Sequence, residues 1–206
     1  MAGLEEILAQ ELIEIGADEV QIGRRSVYFS GDVKMLYKAN YCLRTALRIL
    51  VPIDSYKIYS VDDLYQRAKN FKWEDMFDCD QTFAIQSTVF SDLFDNSMYA
   101  SLKLKDAIVD RFRYKFDKRP NVDSKNPDVL INLHISAEFC TISLDSSGES
   151  LHKRGYRVGQ NEAPMSEVLA AGLLRLSDWD QKSELIDPMC CLLYTSPSPR
   201  DRGNHR

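Results

Sequence analysis

Residues 126–157, NPDVLINLHISAEFCTISLDSSGESLHKRGYR, constrain the fold more than any other part of this chain. Apolar and polar side chains alternate over 129–135 and again over 139–144, the period of strands with one buried face. Only a few residues separate the two runs, so the strands are expected to pair as an antiparallel hairpin. A hairpin with one apolar face is not stable alone and must be covered by elements from elsewhere in the chain. A polar turn at Asp145, Ser146, Ser147 and Gly148 leads to Leu151-His152-Lys153-Arg154-Gly155-Tyr156-Arg157, where cations surround an aromatic and a glycine.

Upstream, helical and strand periodicities alternate. Leu4, Ile7, Leu8, Leu12 and Ile15 share one face of a helix that Gly16 should end. Val20 and Ile22, then Val27 and Phe29, predict a hairpin around Gly23-Arg24-Arg25. Asp32 is placed to cap a second helix running to about Cys42, and 46–53 is expected to return as a strand. Helix, two strands, helix, strand is a ferredoxin-like order without its first strand, as expected of a chain that begins late. Next come a short helix over 61–71, core contacts from Trp73, Met76 and Phe77, a strand over 82–89 and a polar loop over 90–97. A long helix then runs to about Phe116, with Met98, Leu102, Ile108, Val109, Phe112 and Phe116 on its apolar face. Beyond the hairpin, 158–163 is a linker, and Pro164 starts a helix over 165–176. Leu185-Ile186-Asp187 then opens a buried strand.

The protein has 206 residues and a net charge of −5, which argues against a generally basic nucleic-acid binder. The distribution says more. Residues 1–96 carry 10 basic and 16 acidic side chains, 97–157 carry 11 and 8, and 158–206 carry 5 and 7. Only the middle part is cationic, and a polyanion would be held there. On the long helix Lys103, Arg111, Lys115 and Lys118 form a stripe beside the apolar face, as on a helix lying along a phosphate backbone. The alternative is a solvated face interrupted by Asp106, Asp110 and Asp117. Arg119, Lys125, Lys153, Arg154 and Arg157 extend the candidate phosphate contacts, with Tyr156 as a stacking surface. Residues 154–157 fit a domain junction equally well, with Arg157 paired to a carboxylate and Tyr156 in the core.

Other polar residues call for plainer roles. His134 and His152 are expected to pack or hydrogen-bond rather than catalyse. Asp62-Asp63, and Asp78 with Asp80, are explained by helix capping and loop solvation. Five cysteines without C-x-x-C spacing and three scattered histidines predict no metal site and a reducing cytoplasm. No apolar run reaches the ~18 residues of a membrane span, so no membrane partner is expected.

Several pieces together resemble the bacterial THUMP-domain 23S rRNA methyltransferases that modify a guanine exocyclic amine. They are Gly3-Leu4-Glu5-Glu6, Thr88-Val89-Phe90-Ser91, KLKDAIVDRF at 103–112, Asn126-Pro127-Asp128, residues 148–157, Ala163-Pro164 with Leu169-Ala170-Ala171, and Asp187-Pro188-Met189-Cys190. Their order and spacing carry the resemblance, which covers residues 1–190. It implies an α+β protein with a ferredoxin-like domain over 1–53 and a THUMP RNA-binding domain over 54–157. The truncated start of a Rossmann-like α/β methyltransferase domain would come next, over 158–190. It also implies a large-subunit rRNA partner, a monomer, and S-adenosylmethionine as methyl donor.

In that family Asp187, Pro188, Met189 and Cys190 would open the first cofactor motif, which continues Gly-Ser-Gly-Thr. There a strand ends, the chain turns on glycines, and backbone N–H groups meet the ligand at a helix N-terminus. Here the glycines are missing. From Cys191 the sequence is CLLYTSPSPRDRGNHR, and its Ser-Pro steps break such a continuation. This string resembles an in-frame translation of a sequencing-library adapter, so 191–206 is expected to be a non-native tail. The family's catalytic Asn-Pro-Pro-Tyr motif is absent, so no catalytic residue is assigned. The truncated chain is expected to bind RNA without transferring a methyl group. The alternative is a stand-alone THUMP adaptor that delivers RNA to a separate enzyme, a role that needs neither the helix over 165–176 nor the DPMC sequence.

Overall fold

The computed structural model describes residues 3–94, 96–154, 165–180 and 182–186. Helix α1 (Glu5–Glu14) ends where Gly16 takes a φ of 84°, a left-handed backbone that favours glycine. β1 (Asp18–Gly23) and β2 (Ser26–Ser30) form the expected antiparallel hairpin. Asp32 caps α2 (Val33–Cys42), its carboxylate accepting from the Met35 N–H at 2.7 Å. Leu12, Ala39, Leu43, Ala46 and Ile49 close a small core, with Val20 and Phe29 of the hairpin against it.

The strand expected over 46–53 is corrected by the structure. Ala46 and Ile49 are buried in the small core as irregular chain, and β3 (Leu50–Lys57) starts only after them. β3 then leaves the hairpin and pairs antiparallel with β6 (Phe139–Asp145). Alternation alone cannot say which sheet a strand joins, because that is decided by distant partners.

The second sheet has the order β3-β6-β5-β4, with β4 (Phe83–Phe90) parallel to β5 (Val129–Ser136) and β5 antiparallel to β6. The two strands read from the alternation are thus present to within a residue. One face of this sheet is covered by α3 (Val61–Asn70), a 3₁₀ turn at Trp73–Asp75 and α4 (Ser97–Phe116). Leu64, Trp73, Phe77, Leu104, Ile108 and Phe112 bury there against Ile131, Leu133, Ile135, Cys140 and Ile142. Met76, expected in the core, is 40% exposed.

The buried face of α4 is also rotated from its expected position. Ala100, Leu104, Ala107, Ile108 and Phe112 are buried, while Met98 and Leu102 are 67% and 47% exposed. The two alanines sit among the buried residues of the helix and admit close approach to its neighbours. They carry almost no apolar signal, so the larger side chains one step away drew the prediction.

Strand alternation sends the opposite set of side chains to the other face of the sheet. Thr88, His134, Thr141 and Ser55 align across all four strands in one row. Phe90, Ser136, Phe139 and Lys57 align in the next. Seven of these eight residues are exposed, Thr141 being half-buried.

Helix α5 (Glu167–Leu176) returns to the first module and packs on α1. A Cβ at Gly172 would come within 2.7 Å of the buried Leu4 side chain, so the approach needs glycine. Arg175 pairs with Glu11 at 3.3 Å and with Glu14 at 3.0 Å across this contact. Leu185 and Ile186, expected to start a buried strand, are 51% and 80% exposed and lie in no strand. A parallel strand is buried only between neighbours, and none pairs with them among the described residues.

Candidate nucleic-acid interface

The candidate cations do not form one stripe; the fold distributes them over three places. Along α4, Lys103 lies over the Tyr99 ring, 5.7 Å from its centroid. Two to three turns on, Arg111 grips Glu74 with two guanidinium nitrogens, at 3.2 and 2.6 Å, and Lys115 donates to the same carboxylate at 2.7 Å. The Glu74 side chain is only 8% exposed, so this clamp ties α4 to the 3₁₀ turn. The Arg111 hydrogen bonds, with help from Lys115, hold the Glu74 carboxyl down at about 2. Arg111 and Lys115 are therefore partly neutralised at rest.

The second group stands on the loop after α4. Asp117 ends the helix in a left-handed conformation, φ 53°, that short polar residues tolerate. Lys118 and Arg119 come directly after it, and Lys125 lies further along; all three are exposed and make no side-chain hydrogen bond or ion pair among the described residues. The loop is held to the sheet by Asn121 and Asp123, whose backbone pairs with that of Phe83. Asp128 closes its far end, accepting from the Thr82 N–H and hydroxyl at 2.8 Å each.

The third group lies against the first module. Lys153 is exposed. Arg154 donates to the carbonyls of Asn40, Tyr41 and Leu43 at the end of α2, and to that of Leu151. A guanidinium at a helix C-terminus satisfies carbonyls that have no helical partner. Arg154 thus serves as a joint between the modules, the role left open for it by the sequence. Tyr156 and Arg157 lie outside the described residues, as do Asp187, Pro188, Met189, Cys190 and the tail 191–206.

Other polar groups have structural partners. Asp63 forms a capping box with Ser60 at the start of α3, as expected of a capping aspartate. His152 shares a 2.8 Å hydrogen bond with the Ser150 hydroxyl. Burial pushes the Cys140 thiol up to about 11, which leaves it un-ionised near neutrality. Three pairings were not foreseen. Glu11, 2% exposed, accepts from the Thr45 N–H and hydroxyl and the Arg44 N–H. Arg48 pairs with the buried Asp145, and Glu74 holds Arg111. Each joins residues more than thirty positions apart, beyond the reach of local periodicity.

A shallow groove of about 490 Å³ opens between β3, α3 and the 3₁₀ turn, lined in part by Asp54, Arg67, Asn70, Lys72 and Asp75. Within it Arg67 pairs with Asp54 at 3.1 Å. No cluster of ligating side chains suited to a metal ion occurs among the described residues. No described helix is long and apolar enough to cross a membrane.

The architecture is α+β, with a ferredoxin-like module, a THUMP module and the start of a methyltransferase fold. Residues 1–50 match the RlmL ferredoxin-like domain, 59–145 the THUMP domain, and 154–191 the RMKL-like methyltransferase domain. Among solved structures, the chain is similar to a protein from Listeria monocytogenes str. 4b F2365 named as a predicted N6-adenine-specific DNA methylase. Identity is 30% and the TM-score 0.74, over 86% of this chain and 46% of that one. SMU.472, a candidate methyltransferase complexed with SAH, is similar at 28% identity and a TM-score of 0.78, over 92% of this chain and 50% of that one. A possible methylase from Clostridium difficile 630 gives 28% and 0.74, over 86% and 47%. The chain spans about half the length of these relatives.

Proposed function

We propose that this chain is the RNA-docking part, and the beginning of the donor domain, of an S-adenosylmethionine-dependent methyltransferase acting on a guanine exocyclic amine of 23S rRNA. The observation that carries the reading is the order of the three matches along one chain: ferredoxin-like, THUMP, methyltransferase. A methyltransferase domain after the THUMP module also favours this over a stand-alone adaptor. S-adenosylmethionine would supply the methyl group, and the SAH complex of a relative supports that choice. The residues proposed to begin its site, Asp187 to Cys190, lie outside the described part.

Within this reading the protein is a cytoplasmic monomer with domains at 1–53, 54–157 and 158–190. The tail 191–206 is foreign, and the chain itself transfers no methyl group. Lys103, Lys118, Arg119, Lys125 and Lys153 meet phosphates directly, and Arg111 and Lys115 add positive field while pinned on Glu74. Arg154 orders the joint between the modules, and Tyr156 and Arg157, outside the described residues, are further candidate RNA contacts. Guanine's amine is a weak nucleophile, so the front modules contribute by holding the base in line with the methyl group.

The name of one relative points to adenine in DNA. Competition binding separates the two substrates. The 206-residue chain is titrated with a structured large-subunit rRNA fragment against duplex DNA of equal length. Preference for the rRNA is expected; equal or tighter binding of the DNA would overturn the assignment.

A further inference from the structure

The open face of the four-stranded sheet has a composition that neither solvation nor packing requires. Phe90 and Phe139 are 65% and 54% exposed there, in one cross-strand row with Lys57 at its end. The Lys57 ammonium lies 5.5 Å from the centroid of the Phe139 ring. His134, in the adjoining row, stands edge-on to Phe90 with centroids 6.2 Å apart. In a chain with 31 acidic side chains, the only carboxylate among the described residues whose register places it on this face is Asp145, and Arg48 neutralises it. Glu138 stands at the rim, in the turn between β5 and β6.

We infer that this face is a stacking platform for the bases of single-stranded RNA, a proposal that rests on the RNA-docking function above. Phenyl rings with adjacent cations bind bases through their π-faces and the neighbouring phosphates through charge. The face holds the Lys57 ammonium and, among the described residues, no unpaired carboxylate, which complements a polyanion. The spacing selects the strandedness. Phe90 and Phe139 lie on strands two apart, separated by about 10 Å, whereas stacked nucleotides in a duplex rise about 3.4 Å each. Only a strand whose bases are splayed apart can place one on each ring. Hydroxyls of Thr88 and Thr141 lie within the platform to hydrogen-bond base edges.

The platform and the cations of the α4–β5 loop sit at opposite ends of β4, since Phe90 ends the strand and the loop pairs with Phe83. The loop and the platform therefore take different parts of one RNA: a phosphate backbone at one end, an unpaired segment at the other.

The test uses the full chain, a fluorescent unstructured RNA oligonucleotide, and the double variant Phe90→Leu/Phe139→Leu. Leucine retains apolar area but has no π-face, and both rings are exposed, so an unchanged melting temperature is the control for folding. The expected result is a loss of affinity of about tenfold or more, with 5-iodouridine RNA cross-linking to Phe90, His134 or Phe139 in the parent. Unchanged affinity in the double variant, with the parent still binding RNA, would overturn the platform and leave the docking function standing. Failure of the parent to bind any RNA would overturn both. Concentration-dependent dimerisation that the leucine pair abolishes would assign the face to a second copy of the chain instead.

Discussion

Glu74 shows how one carboxylate decides what two cations are free to do. Arg111 and Lys115 look in the sequence like phosphate ligands on a helix, yet in the fold they converge on a nearly buried acid. Removing that acid both destabilises the fold and releases the cations. Glu74→Gln is expected to cost about 1.5–3 kcal/mol at neutral pH, the range for a hydrogen bond to a charged group. The pH dependence has a definite sign. The Glu74 carboxyl is depressed to about 2 from its ordinary 4.5, so its contribution is complete above the ordinary value and fades as pH falls from there through about 2. Urea midpoints of parent and variant should therefore converge between pH 4.5 and pH 2. A gap that stays constant over that interval would show that the ion pair is not its source. Substituting Arg111 or Lys115 tests RNA binding poorly, because it also breaks this clamp.

At the scale of elements, the buried face of α4 is the sharpest departure from the expected pattern. Phe112→Ala and Leu104→Ala should cost about 3–5 and 2–5 kcal/mol. Leu102→Ala, on the face that the sequence favoured, should stay within about 0.5 kcal/mol. Denaturant unfolding of the three variants orders them, and a large cost at Leu102 would contradict the packing of α4. The hairpins, the cap at Asp32, the capping role of Asp63, and the strands around Ile131 and Ile142 were legible because each arises from signals a few residues apart. The features that were not legible depend on distant partners. The sheet that β3 joins, the alanine-lined contact of α4 and the glycine seat of Leu4 on α5 are all of this kind. The aromatic platform was missed for the same reason. Phe90 and Phe139 share a row only through the pairing of three strands, whereas local periodicity places Phe90 at the start of a polar loop and Phe139 at the start of a strand.

For the whole molecule, the RNA-modifying reading requires that the front modules hold a polyanion although the chain is acidic overall. The fold meets this by segregation. Glu74 and Asp145 are each paired with cations, while Lys118, Arg119 and Lys125 stand exposed and without side-chain partners among the described residues. The packing of α5 on α1, through Leu4 and Arg175, joins the start of the methyltransferase fold to the first module. RNA held by the front modules would thus stand in a fixed relation to the donor domain. The measurement that bears most directly on this is the salt dependence of binding between the chain and a large-subunit rRNA fragment. With Lys103, Lys118, Arg119, Lys125 and Lys153 on phosphates, the logarithm of affinity should fall against that of salt with a slope of about −3 to −5. Lys118→Glu/Arg119→Glu/Lys125→Glu should flatten that slope by about 2 or more. A slope near zero in the parent, or one unchanged by the triple reversal, would contradict docking of RNA by these cations.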